Sequence, residues 1–203
     1  MGKADLNKKL KMENLLNTSF ELFTSQGINK TSISDIVNKA GVAKGTFYLY
    51  FKDKYDIRNR LIAHKSSQLF MEAYHALEDA NIHGFENRLI FIMDYVLDEL
   101  QANKGLLAFI YKDLSWAVFK KALITPISND DVDFAEIYRR MIEESELEFR
   151  DPEIMLFLII ELVGSAGYSS IMYDDPVSLQ DLKPHLEQTV RNIIHTYTIN
   201  ADN

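Results

Sequence analysis

Apolar side chains recur at three- and four-residue steps along almost the whole chain, and the strict alternation of a half-buried strand is nearly absent. Met12, Leu16, Phe20 and Phe23 form one stripe of an amphipathic helix expected over roughly 8–26, with Gly27 placed to end it in a left-handed cap. Ile33, Ile36, Val37 and Ala40 follow the same period over a short second helix. Ser32 with Asp35 three residues on makes a capping box at its front, and Gly41 stops it. A third helix is predicted over about 44–50, and a long, polar-faced fourth from Asp53 or Lys54 to about Ala80. Further helices are expected over about 85–102, 104–123, 130–147, 152–173 and 178–199, punctuated at Thr125-Pro126, Asp151-Pro152 and Asp174-Asp175-Pro176. The pattern predicts an all-α protein of about nine helices, with frayed tails at 1–7 and 200–203.

Composition narrows the class. At 203 residues, 47% hydrophobic and 26% charged, the chain has the make-up of a soluble globular protein of one large domain or two modest ones. With no cysteine, disulfide scaffolds, thiolate zinc sites and cysteine nucleophiles are excluded. The first twenty residues carry Lys3, Lys8, Lys9, Lys11, Asp5 and Glu13 where a secretory signal would be apolar. The longest apolar stretch, 154–163, is broken by Glu161 and is shorter than the roughly 18 residues of a bilayer span. A cytoplasmic protein with no membrane partner is expected.

The net charge of −8 conceals a division. Residues 1–58 hold ten Lys and Arg against six Asp and Glu, a net of +4; the other 145 residues hold twelve against twenty-four, a net of −12. Such asymmetry fits a basic module for a polyanion joined to an acidic body with another task, the alternative being chance clustering of surface charge. The second helix, the turn Gly41-Val42-Ala43 and the third helix have the dimensions of a helix-turn-helix, whose second helix enters the major groove.

The third helix crowds donors: Lys44, Gly45, Thr46, Tyr48 and Tyr50 fall within seven residues. At 100° per residue Phe47 lies nearly opposite Gly45, so the ring anchors the helix while Lys44, Gly45 and Tyr48 face outward, and Gly45 admits a close backbone approach. Lys54, heading the next helix, is placed to clamp a phosphate with that helix's free N–H groups. Thr31 and Ser34 are placed to do the same on the neighbouring strand. The alternative for Tyr48, Leu49 and Tyr50 is plain packing.

The stretch from Thr31 to Lys54, with its core Ala40-Gly41-Val42-Ala43-Lys44-Gly45-Thr46-Phe47-Tyr48-Leu49-Tyr50-Phe51-Lys52-Asp53-Lys54, resembles the DNA-binding motif of TetR-family transcriptional regulators. The resemblance covers about 50 residues and departs from the commonest pattern at Ala43, where Ser is frequent, and at Val37, where Ala is usual. It implies a helix-turn-helix DNA-binding domain, here 1–52, and a helical effector-binding and dimerisation domain, 53–203. It also implies DNA contacts at Lys44, Gly45, Thr46, Tyr48, Leu49, Tyr50 and Lys54 with Ser34, and a homodimer formed through the last two helices.

Residues of the body support that last expectation. Ile154 to Ile160 are apolar all round a helix, Gly164, Ala166 and Gly167 allow close helix approach, and Val190, Ile193, Ile194 and Tyr197 give the last helix a matching face. Ile154, Phe157, Gly164, Gly167, Val190, Ile193, Ile194 and Tyr197 are therefore the expected dimer seam; the alternative is a helix buried wholly inside one chain. Candidates for an effector pocket are Phe91, Tyr95, Phe109, Tyr111, Trp116, Tyr138, Glu161 and Tyr168, polar or aromatic residues on helices that otherwise read as core. Glu161 stands out, because a carboxylate between Ile160 and Leu162 is costly to bury unpaired.

Neither phosphate-binding glycine loops, nor a nucleophile elbow, nor paired histidines at metal-ligand spacing occur, so neither an enzyme nor a cofactor is expected. The sequence thus reads as a repressor of the TetR type, released from a palindromic double-stranded operator by an unidentified small molecule. The alternative is the same fold with a body that binds a protein partner.

Overall fold

The computed structural model describes residues 3–111 and 134–199. Nine helices occur among them: α1 (Lys3–Gln26), α2 (Ile33–Ala40), α3 (Lys44–Tyr50), α4 (Lys54–Ala80), α5 (Phe85–Ala102), α6 (Lys104–Tyr111), α7 (Phe134–Glu143), α8 (Pro152–Tyr173) and α9 (Leu179–Tyr197). An antiparallel pair of two-residue strands, β1 (Glu148–Phe149) and β2 (Thr198–Ile199), completes the fold.

The caps form as the local chemistry dictates. Ser32 Oγ accepts the Asp35 N–H at 3.1 Å while the Ser32 N–H donates to the Asp35 carboxylate at 2.8 Å, closing the capping box on α2. These bonds hold the Asp35 carboxyl below its ordinary pKa. Gly41 ends α2 at φ +66°, a left-handed position that costs a glycine nothing. Asp53 caps α4, its carboxylate accepting from the N–H groups of Tyr55 at 2.8 Å and Asp56 at 2.9 Å.

Two apolar cores share α4. The first gathers Leu15, Leu16 and Phe23 of α1, Ile36 and Val37 of α2, Phe47 of α3, Phe51, and then Ile57 and Leu61 of α4, so it runs past residue 52. The second fills the space between the rest of α4 and helices α5 to α9, around Leu77, Phe85, Leu89, Leu97, Met155, Ile171 and Ile194. By length and composition alone α8, 22 residues containing an 18-residue stretch of mean hydropathy 1.8, is long and apolar enough to cross a bilayer. It packs instead as a core helix, burying Met155, Leu156, Ile159 and Ile171 against its neighbours.

Three element boundaries differ from the sequence pattern. α1 begins at Lys3 rather than near residue 8. The helix expected over 130–147 is α7, ending at Glu143, and the one expected to reach 199 ends at Tyr197. The second of these differences has a visible cause: Thr198 and Ile199 pair with Phe149 and Glu148, and the Arg150 N–H donates to the Tyr197 carbonyl at 2.7 Å. A long-range backbone pairing thus displaces local helical propensity. The expected continuation of α6 to residue 123, the break at Thr125-Pro126 and Trp116 lie outside the described residues.

Candidate nucleic-acid interface and ligand cavity

α3 is held by one ring and leaves the opposite side bare. Phe47 is fully buried, in contact with Phe51 at a ring separation of 5.5 Å. Lys44 and Gly45 are exposed, as is Ser34 on α2, and Thr46 is half-buried. Tyr48 is 53% and Leu49 78% exposed, large side chains that a seven-residue helix would not hold in water for the sake of its own packing. Ala43 at the N-cap supplies no side-chain bond to the helix start. Ser34, Lys44, Gly45, Tyr48 and Leu49 therefore form one accessible edge of the helix-turn-helix.

Three residues expected at that edge are committed elsewhere. Thr31 is 1% exposed; its hydroxyl donates to the Gly27 carbonyl at 2.9 Å and accepts from the Gln26 amide at 3.2 Å, which closes the α1–α2 turn. The Tyr50 hydroxyl donates to the Lys8 carbonyl at 3.3 Å, turning the ring onto α1. Lys54 points its ammonium back into the protein, donating to the carbonyls of Ile28 at 2.9 Å, Thr31 at 3.1 Å and Asn29 at 3.5 Å. With Asp53 occupying the first N–H groups of α4, the phosphate clamp expected from Lys54 is replaced by an internal brace. A carboxylate there also disfavours an incoming anion.

In the body, α4, α5, α6 and α8 enclose a cavity of about 640 Å³, within the range of small-molecule sites. Its walls are largely aliphatic, from Leu69, Ile92, Val96, Ile110, Ile160 and others, with Ser66 and Ser165 as hydroxyls. Of the residues expected there, Tyr111, Glu161 and Tyr168 line it. The rings of Tyr111 and Tyr168 stack face to face at 3.7 Å and 11°. A hydrogen bond between Tyr168 and Tyr173 raises the Tyr168 pKa above the ordinary phenol value.

The other described residues of the expected pocket, Phe91, Tyr95, Phe109 and Tyr138, lie apart from this cavity. Phe91 and Tyr95 contact each other, at 6.5 Å, against the body core. Tyr138 is buried beside Phe85 and donates its hydroxyl to the Pro152 carbonyl at 2.8 Å; burial raises its pKa. Phe109 packs on the amino-terminal core, edge-on to Phe20 at 5.3 Å and stacked on Phe23 at 6.3 Å. The aliphatic wall residues on α5 were not singled out in the sequence, because an i, i+3, i+4 stripe looks the same whether it meets a neighbouring helix or a void.

The expected dimer seam is divided by the fold. Val190, Ile194 and Gly167 are buried within the chain, facing the body core rather than a partner. Gly167 in particular lies where a Cβ would come within 2.6 Å of Leu97 Cδ2, so its small size serves α5–α8 contact. Ile154 is 49% exposed and Leu158 39%, and Gly164 is exposed. Phe157, Ile193 and Tyr197 are half-buried. Among the described residues no group of three His, Asp or Glu side chains is arranged to hold a metal ion.

A helix-turn-helix with an accessible second helix is thus carried on a helical body that holds an apolar cavity. Residues 15–61 match the family model of bacterial regulatory proteins, tetR family, and the fold as a whole is similar to that of solved TetR-family regulators. It is 34% identical over 109 residues, 52% of this chain, to the HTH-type transcriptional regulator YvdT of Bacillus subtilis, and spans 53% of that relative's length. It is 25% identical to the Tn10 TetC protein of Escherichia coli over 75% of this chain and 76% of the other. Among solved structures it resembles Bacillus subtilis FadR in complex with stearoyl-CoA, with a TM-score of 0.65 at 18% identity, covering 90% of this chain and 99% of that one.

Proposed function

We propose that the protein is a dimeric transcriptional repressor that leaves its operator when a lipophilic small molecule fills the body cavity. The observation that carries this reading is the position of α6. Leu107, Ile110 and Tyr111 line the cavity, while Phe109 on the same eight-residue helix packs against the rings of Phe20 and Phe23 in the DNA-binding unit. A ligand that pushes on one side of α6 therefore pushes on α1. The likeness to a fold whose FadR member is bound to stearoyl-CoA supports a long apolar effector.

The exposed edge of α3 would read base edges, and a dimer would bring two such edges to one palindrome. They must sit about 34–36 Å apart, one turn of the duplex, to reach successive major grooves. Effector binding that favours another spacing by a few kcal/mol is enough to release DNA. The exposed stripe of Ile154 and Leu158 on α8 supplies apolar surface for the dimer contact, and such a regulator would act in the cytoplasm. A gel-shift titration with the DNA upstream of the protein's own gene, repeated with lipophilic compounds, tests the reading. Retardation that the compounds reverse is the expected result, and no retardation even in dilute buffer defeats it.

A further inference from the structure

Two strips of the same spacing run along the outer side of the α8–α9 pair. Ile154, Leu158, Glu161 and Ser165 on α8, and His185, Thr189, Asn192 and Thr196 on α9, each recur at steps of four, three and four, and all are exposed. At 100° per residue each strip takes up about 60° of its helix, the narrow kind of seam through which helices of a bundle meet. Neither strip carries a Lys or Arg; Glu161 and His185 are their titratable groups. Among the described residues no side chain pairs with either. The other charges of α9 are turned to α5 or to the helix cap. Lys183 bonds Asp98 at 2.7 Å with Asp94 at 3.8 Å, Arg191 bonds Glu86 at 3.1 Å, and His195 stands 3.6 Å from Glu86. Glu187 is close enough to Asp94 to disfavour its charge, and Asp181 accepts the Ser178 hydroxyl at 2.7 Å. α8 has no Lys, Arg or His, and its other acid, Glu153, falls about 100° from the strip. Toward the cavity the wall beside Glu161 offers only the hydroxyls of Ser66, Tyr111, Ser165 and Tyr168.

We propose that closing the dimer drives a proton onto His185, whose imidazolium then answers the Glu161 carboxylate inside the seam, so that two copies associate more tightly as pH falls from about 8 to 6. The pairing presupposes that the copies meet through α8 and α9. Ile154 and Leu158, on the same strip as Glu161, exclude water from such a contact, and a carboxylate left there without a counter-charge is strongly disfavoured. In a two-fold seam that cost falls on both copies, and no Lys or Arg stands on either strip to offset it. Histidine is the side chain that gains charge in this pH range, and His185 is the base at hand. A proton bound more tightly in the dimer than in the free protomer strengthens the dimer at low pH. That contribution is lost as pH rises past the point where the dimer releases the proton. One proton per protomer sets a limit of about a hundredfold in the dissociation constant per pH unit.

The test is the dissociation constant of the full chain at pH 6, 7 and 8, read by fluorescence-detected sedimentation, with graded urea where the dimer persists at the lowest concentration. A rise of about tenfold or more from pH 6 to 8 supports the proposal. A dimer whose dissociation constant ignores pH overturns it and leaves the dimer standing, whereas a monomer at every pH defeats the dimer reading as well. Glu161→Gln and His185→Gln, both at exposed helical positions, separate this pair from the other histidines. Each is expected to remove most of the pH dependence, Glu161→Gln by tightening the dimer at pH 8 and His185→Gln by weakening it at pH 6. A pH dependence that survives either substitution overturns the pairing.

Discussion

Phe109 of α6 meets Phe20 of α1 edge-on, with ring centroids 5.3 Å apart and planes at 89°, and lies almost parallel to Phe23 of that same α1, 6.3 Å away. Its neighbours Ile110 and Tyr111 face the cavity. Phe109→Ala should cost about 1–3 kcal/mol of stability, less than a fully buried ring because it is half-exposed. Its more telling effect should be on coupling: ligand and DNA should each still bind, while the ligand loses most of its power to displace DNA. Anisotropy titrations of labelled operator with and without ligand would show this, and unchanged displacement would remove α6 from the pathway.

Lys54 and Lys44 should behave oppositely. Removing the brace with Lys54→Met takes the ammonium away from the carbonyls of Ile28 and Thr31, the former keeping the Thr31 N–H at 3.3 Å, and should cost about 1–3 kcal/mol in chemical denaturation. The slope of log K against log salt for DNA should hardly change. Lys44→Ala, at an exposed position, should leave stability within about 0.5 kcal/mol and reduce that slope by about one if it meets a phosphate.

Leu49 and Tyr48 are exposed, and Tyr48 meets the fold through an edge-on contact with the Phe47 ring at 5.5 Å. Leu49→Ala and Tyr48→Phe should be neutral in thermal unfolding, yet Tyr48→Phe should cost about 1–3 kcal/mol at particular base pairs if its hydroxyl reads a base edge. Binding measured over a set of single-base operator variants separates that outcome from a uniform loss, which would mean a backbone contact.

At Gly167 the new methyl of an alanine would displace Leu97, and both residues line the cavity, so Leu97 has somewhere to go. Gly167→Ala should change stability by no more than about 1 kcal/mol, the helix-propensity gain offsetting the crowding. It should weaken ligand binding, because the displaced side chain occupies ligand volume. Calorimetry on the variant checks both.

Asp94 on α5 has a buried carboxylate oxygen with no hydrogen-bond partner among the described residues; Lys183 Nζ is 3.8 Å away and sits closer, at 2.7 Å, to Asp98. Burial raises the Asp94 pKa above the ordinary value, against the pull of Lys183. A raised folded pKa means the folded state holds the proton more tightly than the unfolded chain. This carboxyl therefore costs stability increasingly as pH rises from its unfolded to its folded pKa. Asp94→Asn should raise the melting temperature at neutral pH, with the gain vanishing as pH falls below that interval. A gain that persists in acid would contradict this account.

Much of the fold was legible because its signals are local. The Ser32–Asp35 box, Gly41 and the period of Ile36 and Val37 each act within one helical turn, and the structure follows them. Tertiary partners were not legible in that way. Lys54 looks like a solvent cation until the carbonyls of Ile28 and Thr31, more than twenty residues away, are seen around it. Val190 and Ile194 form an apolar face in any reading; only the packed body shows that this face looks inward. The short β1–β2 pairing was beyond reach for the same reason, since two residues leave no periodicity. The cavity was glimpsed through Tyr111, Glu161 and Tyr168, whose chemistry stands out from an aliphatic background that the rest of the wall merely continues.

The opposed charges of the two units make the molecule electrically lopsided, with its basic end at the helix-turn-helix and its acidic weight behind. In the field of a polyanion such an object feels a torque before it feels a contact, and swings its reading end forward during diffusion. The same weight should repel any second duplex that drifts toward the rear. Raising ionic strength shortens the reach of both effects, and productive collisions should then become rarer faster than collisions as a whole.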